Sequence, residues 1–410
     1  MNQFPSTLFP DASRSYALAQ LNSFAASMGH LYSTTRNFDF GPTQRTNVSS
    51  LSPYIGMRLI QEVEVVQTAL AHHSYQAAEK FIQEVFWRTY WKGWLELRPA
   101  VWNEFTQDVL ALHKDGNYPK AYEQACRRNT PIECFNAWVN ELITTGYLHN
   151  HARMWFASIW IFTLGLPWQL GAEFFYRHLL DGDIACNTLS WRWVAGLHTR
   201  GKNYLATADN IKKYTEGRFS PTGLAASDSA LPLDTTNFKT YPKEADKSFI
   251  SDIEPPSNQP LTLLLHEEDL TPEFSPLKDY PINSVLALSP HVLQNLVDRS
   301  STVLEFKAQA MQDAVQRVQS HFNVSVQIIE DVSELSRAID VSPSPIVMLK
   351  PHRGFLRQLV EEVIHLSPVS NNKVYYATRQ WDRFLHPKAT GGFFTFKKSI
   401  PSMISRLDSH

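Results

Sequence analysis

The hydrophobic pattern divides the chain into two unlike halves. Before Phe219, apolar side chains recur with the spacing of amphipathic helices, and almost no stretch alternates like a strand. This spacing predicts helices over Ser15–Gly29, Gly56–His73, Tyr75–Leu97, Trp102–Lys114, Phe135–Thr145, Ala152–Leu164 and Trp168–Asp181. The first half is therefore expected to be all-helical.

A different pattern begins at Leu261, where short apolar runs alternate with helical spacing. The runs are predicted as strands over Leu261–Leu265, Ser284–Leu288, Ser325–Ile329, Ile346–Leu349 and Val374–Ala377. Helical patterns lie between them over Ser289–Phe322, Val332–Ile339 and Gly354–Leu366. Strands that alternate with helices are typical of a parallel sheet covered by helices, so the second half is predicted to be a smaller α/β domain.

The stretch between the halves is rich in Pro, Ser, Asp and Lys and has no sustained period. It is predicted to be a linker, because such composition favours extended surface segments. A chain of 410 residues is also too long for one ordinary core. We therefore expect a helical domain over residues 1–218, a linker over 219–260 and the α/β domain over 261–410.

Composition and charge exclude several classes of protein. The net charge of −2 and the pI near 6.7 exclude a generally basic protein, but they allow a local basic groove. The sequence has neither a signal-peptide pattern nor a run near the ~18 apolar residues of a membrane helix. It therefore predicts a soluble, cytoplasmic protein without a membrane partner. The three cysteines are widely spaced, so a disulfide framework is not expected.

Candidate chemistry begins with two segments before residue 55. Tyr32 and Arg36 are separated by three residues, and the serine-rich stretch Ser49–Tyr54 follows. Hydroxyls and free backbone N–H groups at a helix start can bind a pyrophosphate. The same serines could equally be an ordinary helix cap.

A second group lies within the predicted helix Tyr75–Leu97. Glu84, Trp87 and Arg88 are spaced i, i+3 and i+4, so they share one helical face. One interpretation is a polar site on an aromatic face. The alternative is an intrahelical Glu84–Arg88 ion pair over a core tryptophan.

Two further motifs follow in the same half. In the first, Asn150 stands between two histidines, but no third ligand is within sequence reach, so we expect no metal. In the second, Asp181-Gly-Asp183 is followed by Trp191 and Trp193. Two acids flanking a glycine could cap a helix or bind a cation. Neither role explains the tryptophan pair.

These four segments, in this order and at this spacing, resemble the FAD-binding domain of the DNA photolyase/cryptochrome family over residues 15–220. The resemblance implies FAD as the cofactor, although Val48 stands where the family usually has threonine. The residues that it assigns to FAD are Tyr32, Ser49, Ser50, Leu51, Ser52, Phe81, Arg88, Asn150, Arg153, Asp181, Asp183 and Asn187.

The resemblance also implies roles in light-driven chemistry. It assigns the binding of a damaged pyrimidine pair to Glu84, Trp87, Asn150, Met154 and Trp193, and the combination of Asn150 with Met154 looks like the cyclobutane-dimer class. It makes Trp191 and Trp168 the inner members of an electron relay. The surface member of that relay has no matching tryptophan, and Tyr118 and Trp102 are the candidates.

The order of the two halves departs from the family pattern. In ordinary members an α/β domain precedes the flavin domain, whereas here the α/β pattern follows it. We therefore expect a circularly permuted relative, which is feasible because domain termini usually lie at the surface. The strand Leu261–Leu265 runs into His266–Leu270, where the family carries two arginines that this chain lacks. No glycine-rich phosphate loop follows any strand, and the sequence leaves an antenna pigment open.

Three functions compete at this point. The first is blue-light-driven, FAD-dependent repair of cyclobutane pyrimidine dimers, with UV-damaged DNA as the partner. The second is a cryptochrome-like photoreceptor without repair activity, and the third is a helical scaffold that no longer uses light. For repair, the expected DNA contacts are local cations, which could also be a solvated surface: Lys92, Arg98, Arg192, Arg200 and Lys202.

Overall fold

The computed structural model describes residues 9–199, 202–226, 239–243, 255–366 and 374–407. The first part of the chain is helical, as predicted. Its helices are α1 Arg14–Phe24, α2 His30–Thr35, α3 Ser52–Gly56, α4 Glu62–His72, α5 Tyr75–Glu96, α6 Pro99–Asp115, α7 Lys120–Cys126, α8 Glu133–Thr145, α9 Asn150–Ser158, α10 Trp168–His178, α11 Ile184–Val194 and α12 Ala208–Tyr214.

The expected helix Gly56–His73 is interrupted. Arg58 adopts φ +51°, a left-handed conformation that ends the short helix α3. A new helix then starts at Glu62, where the Gln61 side chain and Glu64 form a capping box. The expected helix Ala152–Leu164 begins earlier, as α9, and continues as a wider π-helical turn over Ile159–Thr163.

The second part contains a five-stranded sheet in which every neighbouring pair is parallel, in the order β3-β2-β1-β4-β5. Its elements are β1 Leu261–Leu265, β2 Ile282–Leu288, α13 Ser301–Phe322, β3 Val326–Ile329, α14 Val332–Val341, β4 Ile346–Leu349, α15 Phe355–Leu366, β5 Val374–Ala377, α16 Gln380–Leu385, α17 Phe393–Phe396 and α18 Ile400–Leu407. Helices and a parallel sheet are thus both present. The long pattern Ser289–Phe322 is divided into a 3₁₀ turn over Pro290–Leu293 and α13.

The strand order reverses between β1 and β4, and polar loops follow both strands at this point. Sites in open parallel sheets form at such a reversal, beyond the carboxyl ends of the strands. Here, the loop Glu267–Asp269 after β1 lies beside His352 and Arg353 after β4. Both face the loop Asp181–Asp183 of the helical part across a small cavity of about 30 Å³.

Buried polar bonds join the sheet part to the helical part. The Arg58 guanidinium bonds Asp269 at 3.1 Å and Asp382 at 2.7 Å, and it is also 3.3 Å from Glu62. The indole N–H of Trp381 donates to the Thr89 hydroxyl at 2.9 Å. The two parts therefore share a desolvated, charged interface.

Helix α5 is also in backbone contact with the end of the chain. A Cβ added at Gly93 would lie 2.7 Å from the Cα of His386, a separation that no side chain tolerates. Glycine at this position allows the turn His386–Lys388 to rest directly on α5.

Most of the expected linker, residues 219–260, lies outside the described residues. Within it, the Tyr241 hydroxyl donates to Glu104 at 2.5 Å.

Candidate functional site: an accessible face on helix α5

Helix α5 is buried along its second half except at three side chains. Between Phe81 and Glu96, only Glu84, Trp87 and Arg88 are accessible. Every other residue of this stretch is buried, including those that flank the three directly. The face that the motif spacing singled out is therefore the face where this helix opens.

The loop before α11 brings two carboxylates against that face. Asp183 lies 3.1 Å from an Arg88 nitrogen and 3.3 Å from the Lys92 ammonium, and Asp181 lies 3.1 Å from Arg153. Burial alone would raise the pKa of Asp183, but Lys92 and Arg88 outweigh it and lower that pKa to about 2. Burial likewise opposes the ionisation of Asp181, and Arg153 and Arg88 together lower its pKa.

Lys92 is a member of this cluster that sequence reasoning assigned elsewhere. It was expected on a DNA-contacting surface, yet it is buried beside Asp183. Its position four residues after Arg88 places both cations on one face of α5, and that spacing was the available signal.

The same loop fixes the start of α11. The Asp183 carboxylate accepts from the backbone N–H of Cys186 at 2.9 Å, which is an N-cap bond. Four residues later, Asn187 donates its amide N–H to the Ala172 carbonyl at 2.7 Å. Its amide is thus held against α10 on the accessible side of α11.

The serine-rich segment leads into α3, whose last residue, Gly56, lies against Arg88. Ser49, Ser50 and Ser52 are half-buried, while Leu51 between them is buried. Ser50 has φ +51°, a left-handed turn that reorients the backbone immediately before α3.

Glu84 pairs with Arg36 of the segment after α2, and the alternative of an intrahelical Glu84–Arg88 pair is wrong because Arg88 pairs with Asp183. Burial raises the pKa of Glu84, although Arg36 opposes the effect. The Tyr32 ring meets Phe81 edge-on with centroids 5.1 Å apart, and both side chains are buried. This contact fixes α2 against α5 behind the accessible face.

The side chains expected to contact a lesion are all accessible. Asn150 is exposed at the first turn of α9, and Met154 follows one turn later, half-buried. Trp87 and Trp193 are half-buried as well. One face of Trp87 is covered by Phe393 of α17, with ring centroids 3.7 Å apart and planes 9° from parallel. That stack joins distant parts of the chain and could not be read from the sequence.

The two tryptophans expected to relay electrons have different surroundings. Trp191 is buried, and its ring centroid lies 6.2 Å from that of Trp160 and 5.0 Å from that of Phe175. The ring of Trp168 packs on Phe105 at 5.5 Å.

The expected basic surface is mostly wrong. Like Lys92, Arg98 and Arg192 are buried: Arg98 donates to the Thr390 carbonyl at 2.8 Å, and Arg192 lies over the Tyr241 ring. Lys202 is exposed, and Arg200 lies outside the described residues. Charge counting missed this outcome because buried carboxylates, carbonyls and rings take up these cations.

Comparisons with known proteins find similarity to photolyases and cryptochromes. Residues 81–221 match the family model described as the FAD binding domain of DNA photolyase. The chain is 29% identical over 218 residues to the mitochondrial deoxyribodipyrimidine photo-lyase of Saccharomyces cerevisiae, covering 50% of this chain and 38% of that protein. It is 27% identical over 257 residues to a cryptochrome DASH of Idiomarina loihiensis, covering 59% and 55%. Among solved structures, a class III photolyase of Agrobacterium tumefaciens has 23% identity and a TM-score of 0.42, covering 50% of this chain and 43% of that one.

The matched segment includes most of α5, which carries the accessible face, and the loop Asp181–Asp183, which carries the paired carboxylates. The class is therefore a flavoprotein with an FAD-binding domain of the photolyase type, and FAD is its cofactor. Residues 81–221 thus form a domain of the DNA photolyase type, which confirms the resemblance to the DNA photolyase/cryptochrome family. It spans only 38% and 55% of the two relatives' lengths.

The residues present fit this cofactor. Arg88 and Arg153 are partly accessible cations, with side chains 12% and 23% exposed, and hydroxyls stand at the start of α3. Cations and hydroxyls beside free N–H groups are the donors that bind a pyrophosphate.

No helix among the described residues is long and apolar enough to cross a membrane.

Proposed function

We propose that this protein is a blue-light-driven, FAD-dependent repair enzyme for cyclobutane pyrimidine dimers. The observation that carries the proposal is that every side chain assigned to the lesion by the resemblance is accessible. Glu84, Trp87, Asn150, Met154 and Trp193 come from three helices, and all are accessible. As part of the proposal, residues 1–218 form the flavin domain and residues 261–410 the permuted α/β domain.

Each residue then has a physical task. When bound, reduced and excited by light, FAD supplies the electron that splits the dimer. Glu84 would hydrogen-bond the lesion and stabilise its radical anion, while the ion pair with Arg36 holds the Glu84 carboxyl in place. Trp87 and Trp193 would form the apolar walls for a flipped-out base pair, while Asn150 and Met154 would hold its edge.

Two observations favour a second function, a photoreceptor without repair activity. Three of the five cations expected to contact DNA are buried, which weakens the electrostatic case for a nucleic-acid partner. Phe393 also covers one face of Trp87.

The decisive experiment is illumination of the reduced holoprotein with a dimer-containing oligonucleotide, followed by product analysis. Glu84→Ala should lower the repair yield per photon more than it lowers DNA affinity. Glu79→Ala is a matched control, because Glu79 is on the same helix, is equally accessible (33% against 34%) and also pairs with a cation, Lys397. Equal, negligible binding of damaged and undamaged DNA at low salt, with full flavin content, would favour the photoreceptor.

A further inference from the structure

A line of aromatic rings connects Trp191 with the protein surface. Ring centroids are 6.2 Å apart for Trp191 and Trp160, 5.8 Å for Trp160 and Tyr122, and 4.9 Å for Tyr122 and Tyr118. These are ordinary contact distances between aromatic side chains. Trp191 and Trp160 are buried, whereas Tyr118 is partly exposed. The line therefore runs from the core to solvent without a gap.

Gly171 makes the inner step possible. A Cβ at this position would lie 2.3 Å from the Trp191 ring and 3.0 Å from the Trp160 indole nitrogen. Only glycine allows both indoles to approach α10 at one point. Trp160 is further fixed by its N–H, which donates to the Pro167 carbonyl at 2.9 Å.

The outermost ring, that of Tyr118, has a proton acceptor beside its hydroxyl. The Tyr118 hydroxyl lies 2.5 Å from Nδ1 of His113, and the other ring nitrogen of His113 lies 2.8 Å from both carboxylate oxygens of Glu173. A carboxylate on one imidazole nitrogen retains the proton there, so the other nitrogen can accept one. Partial burial and Glu173 raise the pKa of Tyr118, so its phenol stays protonated near neutral pH.

Tyr122 lacks this arrangement. Burial raises its pKa, and the side chain that it bonds is the Cys126 thiol rather than a base. An oxidised phenol is stable only after it loses its proton. Because Tyr122 has no proton acceptor in contact among the described residues, a radical formed there is not stabilised. That ring serves as a bridge, and Tyr118 is the terminus.

We propose that light-driven oxidation of this protein ends at Tyr118 as a neutral tyrosyl radical, with His113 as the proton acceptor. This inference rests on the flavin photochemistry of the proposed function. Trp191 gives one electron to light-excited oxidised FAD and recovers one through Trp160 and Tyr122. Tyr118 loses that electron, and its phenolic proton moves to Nδ1 of His113. A thiol in solution later returns one electron to Tyr118 and becomes a thiyl radical, while His113 returns the proton to the phenol oxygen and the proton of the thiol passes to water.

The test is flash photolysis of the flavin-loaded full-length protein, with the radical identified by its absorption and electron paramagnetic resonance spectra. The wild type should show a tyrosyl radical whose formation slows in deuterated water. Tyr118→Phe should abolish that radical and shorten the charge-separated state several-fold. His113→Phe keeps an aromatic ring at this position but removes the proton acceptor, so it should slow the oxidation of Tyr118 several-fold. Tyr280→Phe, at another half-buried tyrosine, should match the wild type.

Two results would overturn the inference. In the first, the radical is unchanged in Tyr118→Phe and Trp160→Phe but is lost in Trp168→Phe. The electron would then travel through Trp168, which packs on Phe105. The other is the absence of any light-induced radical in the wild type, which would also remove the photochemistry beneath the proposed function. A tyrosyl radical in a protein that repairs no dimer would leave this inference standing and refute repair alone.

Discussion

Two acidic loops face each other across one small cavity, and they differ in what their counter-ions can do. Asp181–Asp183 belongs to the helical part, and Glu267–Asp269 follows β1 of the sheet. The cations around the first loop include Arg88 and Arg153, with side chains 12% and 23% exposed. Those around the second loop are almost completely enclosed: Arg299 is 1% exposed, Arg58 2% and Lys307 7%.

The difference shows why charge composition alone does not identify a binding site. Both loops carry carboxylates with lowered pKa, and the pKa of Glu267 falls to about 2 because Arg299 and Lys307 outweigh burial. An enclosed pair stabilises the fold, because removing one partner leaves a buried charge unpaired. A pair with an accessible cation can also bind a ligand. We therefore propose the first loop as part of the cofactor site and the second as a structural element.

The largest expected effect concerns the enclosed loop. Arg58→Ala should reduce the free energy of unfolding by about 3–5 kcal/mol, because Asp269 and Asp382 lose a buried partner. Chemical denaturation of the holoprotein measures this change. Arg127→Ala is the control, since its pair with Glu123 is exposed and should contribute less than about 1 kcal/mol. Equal losses in the two variants would contradict the structural interpretation of the second loop.

The next effect concerns Glu268, the one carboxylate of the enclosed loop whose pKa is raised, to about 7, by burial. The pKa of Glu268 in the folded state exceeds its value of about 4.3 in the unfolded chain. Its contribution to stability is therefore fully present below about pH 4.3 and is lost as the pH rises through 7. The loss approaches about 3 kcal/mol between pH 4 and 8. Glu268→Gln should remove it, as unfolding measured across this range would detect. A Gln variant with wild-type pH dependence would contradict the assignment.

A smaller effect tests the accessible loop. Arg88→Ala should weaken FAD binding by about 1–3 kcal/mol, because Asp183 and the ligand both lose a charged partner. Flavin titration of the apoprotein measures the affinity. Arg299→Ala, at the enclosed loop, should lower stability and leave the flavin content of the folded fraction near the wild-type value. If Arg299→Ala lost flavin as Arg88→Ala does, the comparison between the loops would fail.

Local patterns predicted the elements whose neighbours in sequence decide their structure. Strands β1, β4 and β5 have the predicted bounds, because continuous apolar runs flanked by turn residues have few alternatives. Helix α5 starts at the predicted Tyr75, where Ser74 caps it. The short helices α16, α17 and α18 were not predicted, since segments of four to eight residues show too little periodicity.

The site was predictable where its chemistry lies in a motif and not where it depends on distant contacts. The face of Glu84, Trp87 and Arg88 follows from helical spacing alone. The partner of Glu84 does not, because Arg36 and Arg88 are equally plausible from the sequence. The role of Lys92 required knowing that Asp183 lies beneath it.

The backbone contact between Gly93 and His386 couples the C-terminal helices to α5, the helix that carries Arg88. Helix α5 carries Arg88 on one face and, one turn later, supports the turn that holds α16 and α17. Any opening that exposes these C-terminal helices to a protease also uncovers α5, so it competes with cofactor binding, and free FAD opposes it by mass action. We therefore expect free FAD to slow proteolytic cleavage after Leu385, which a gel of the digested protein would measure in the dark.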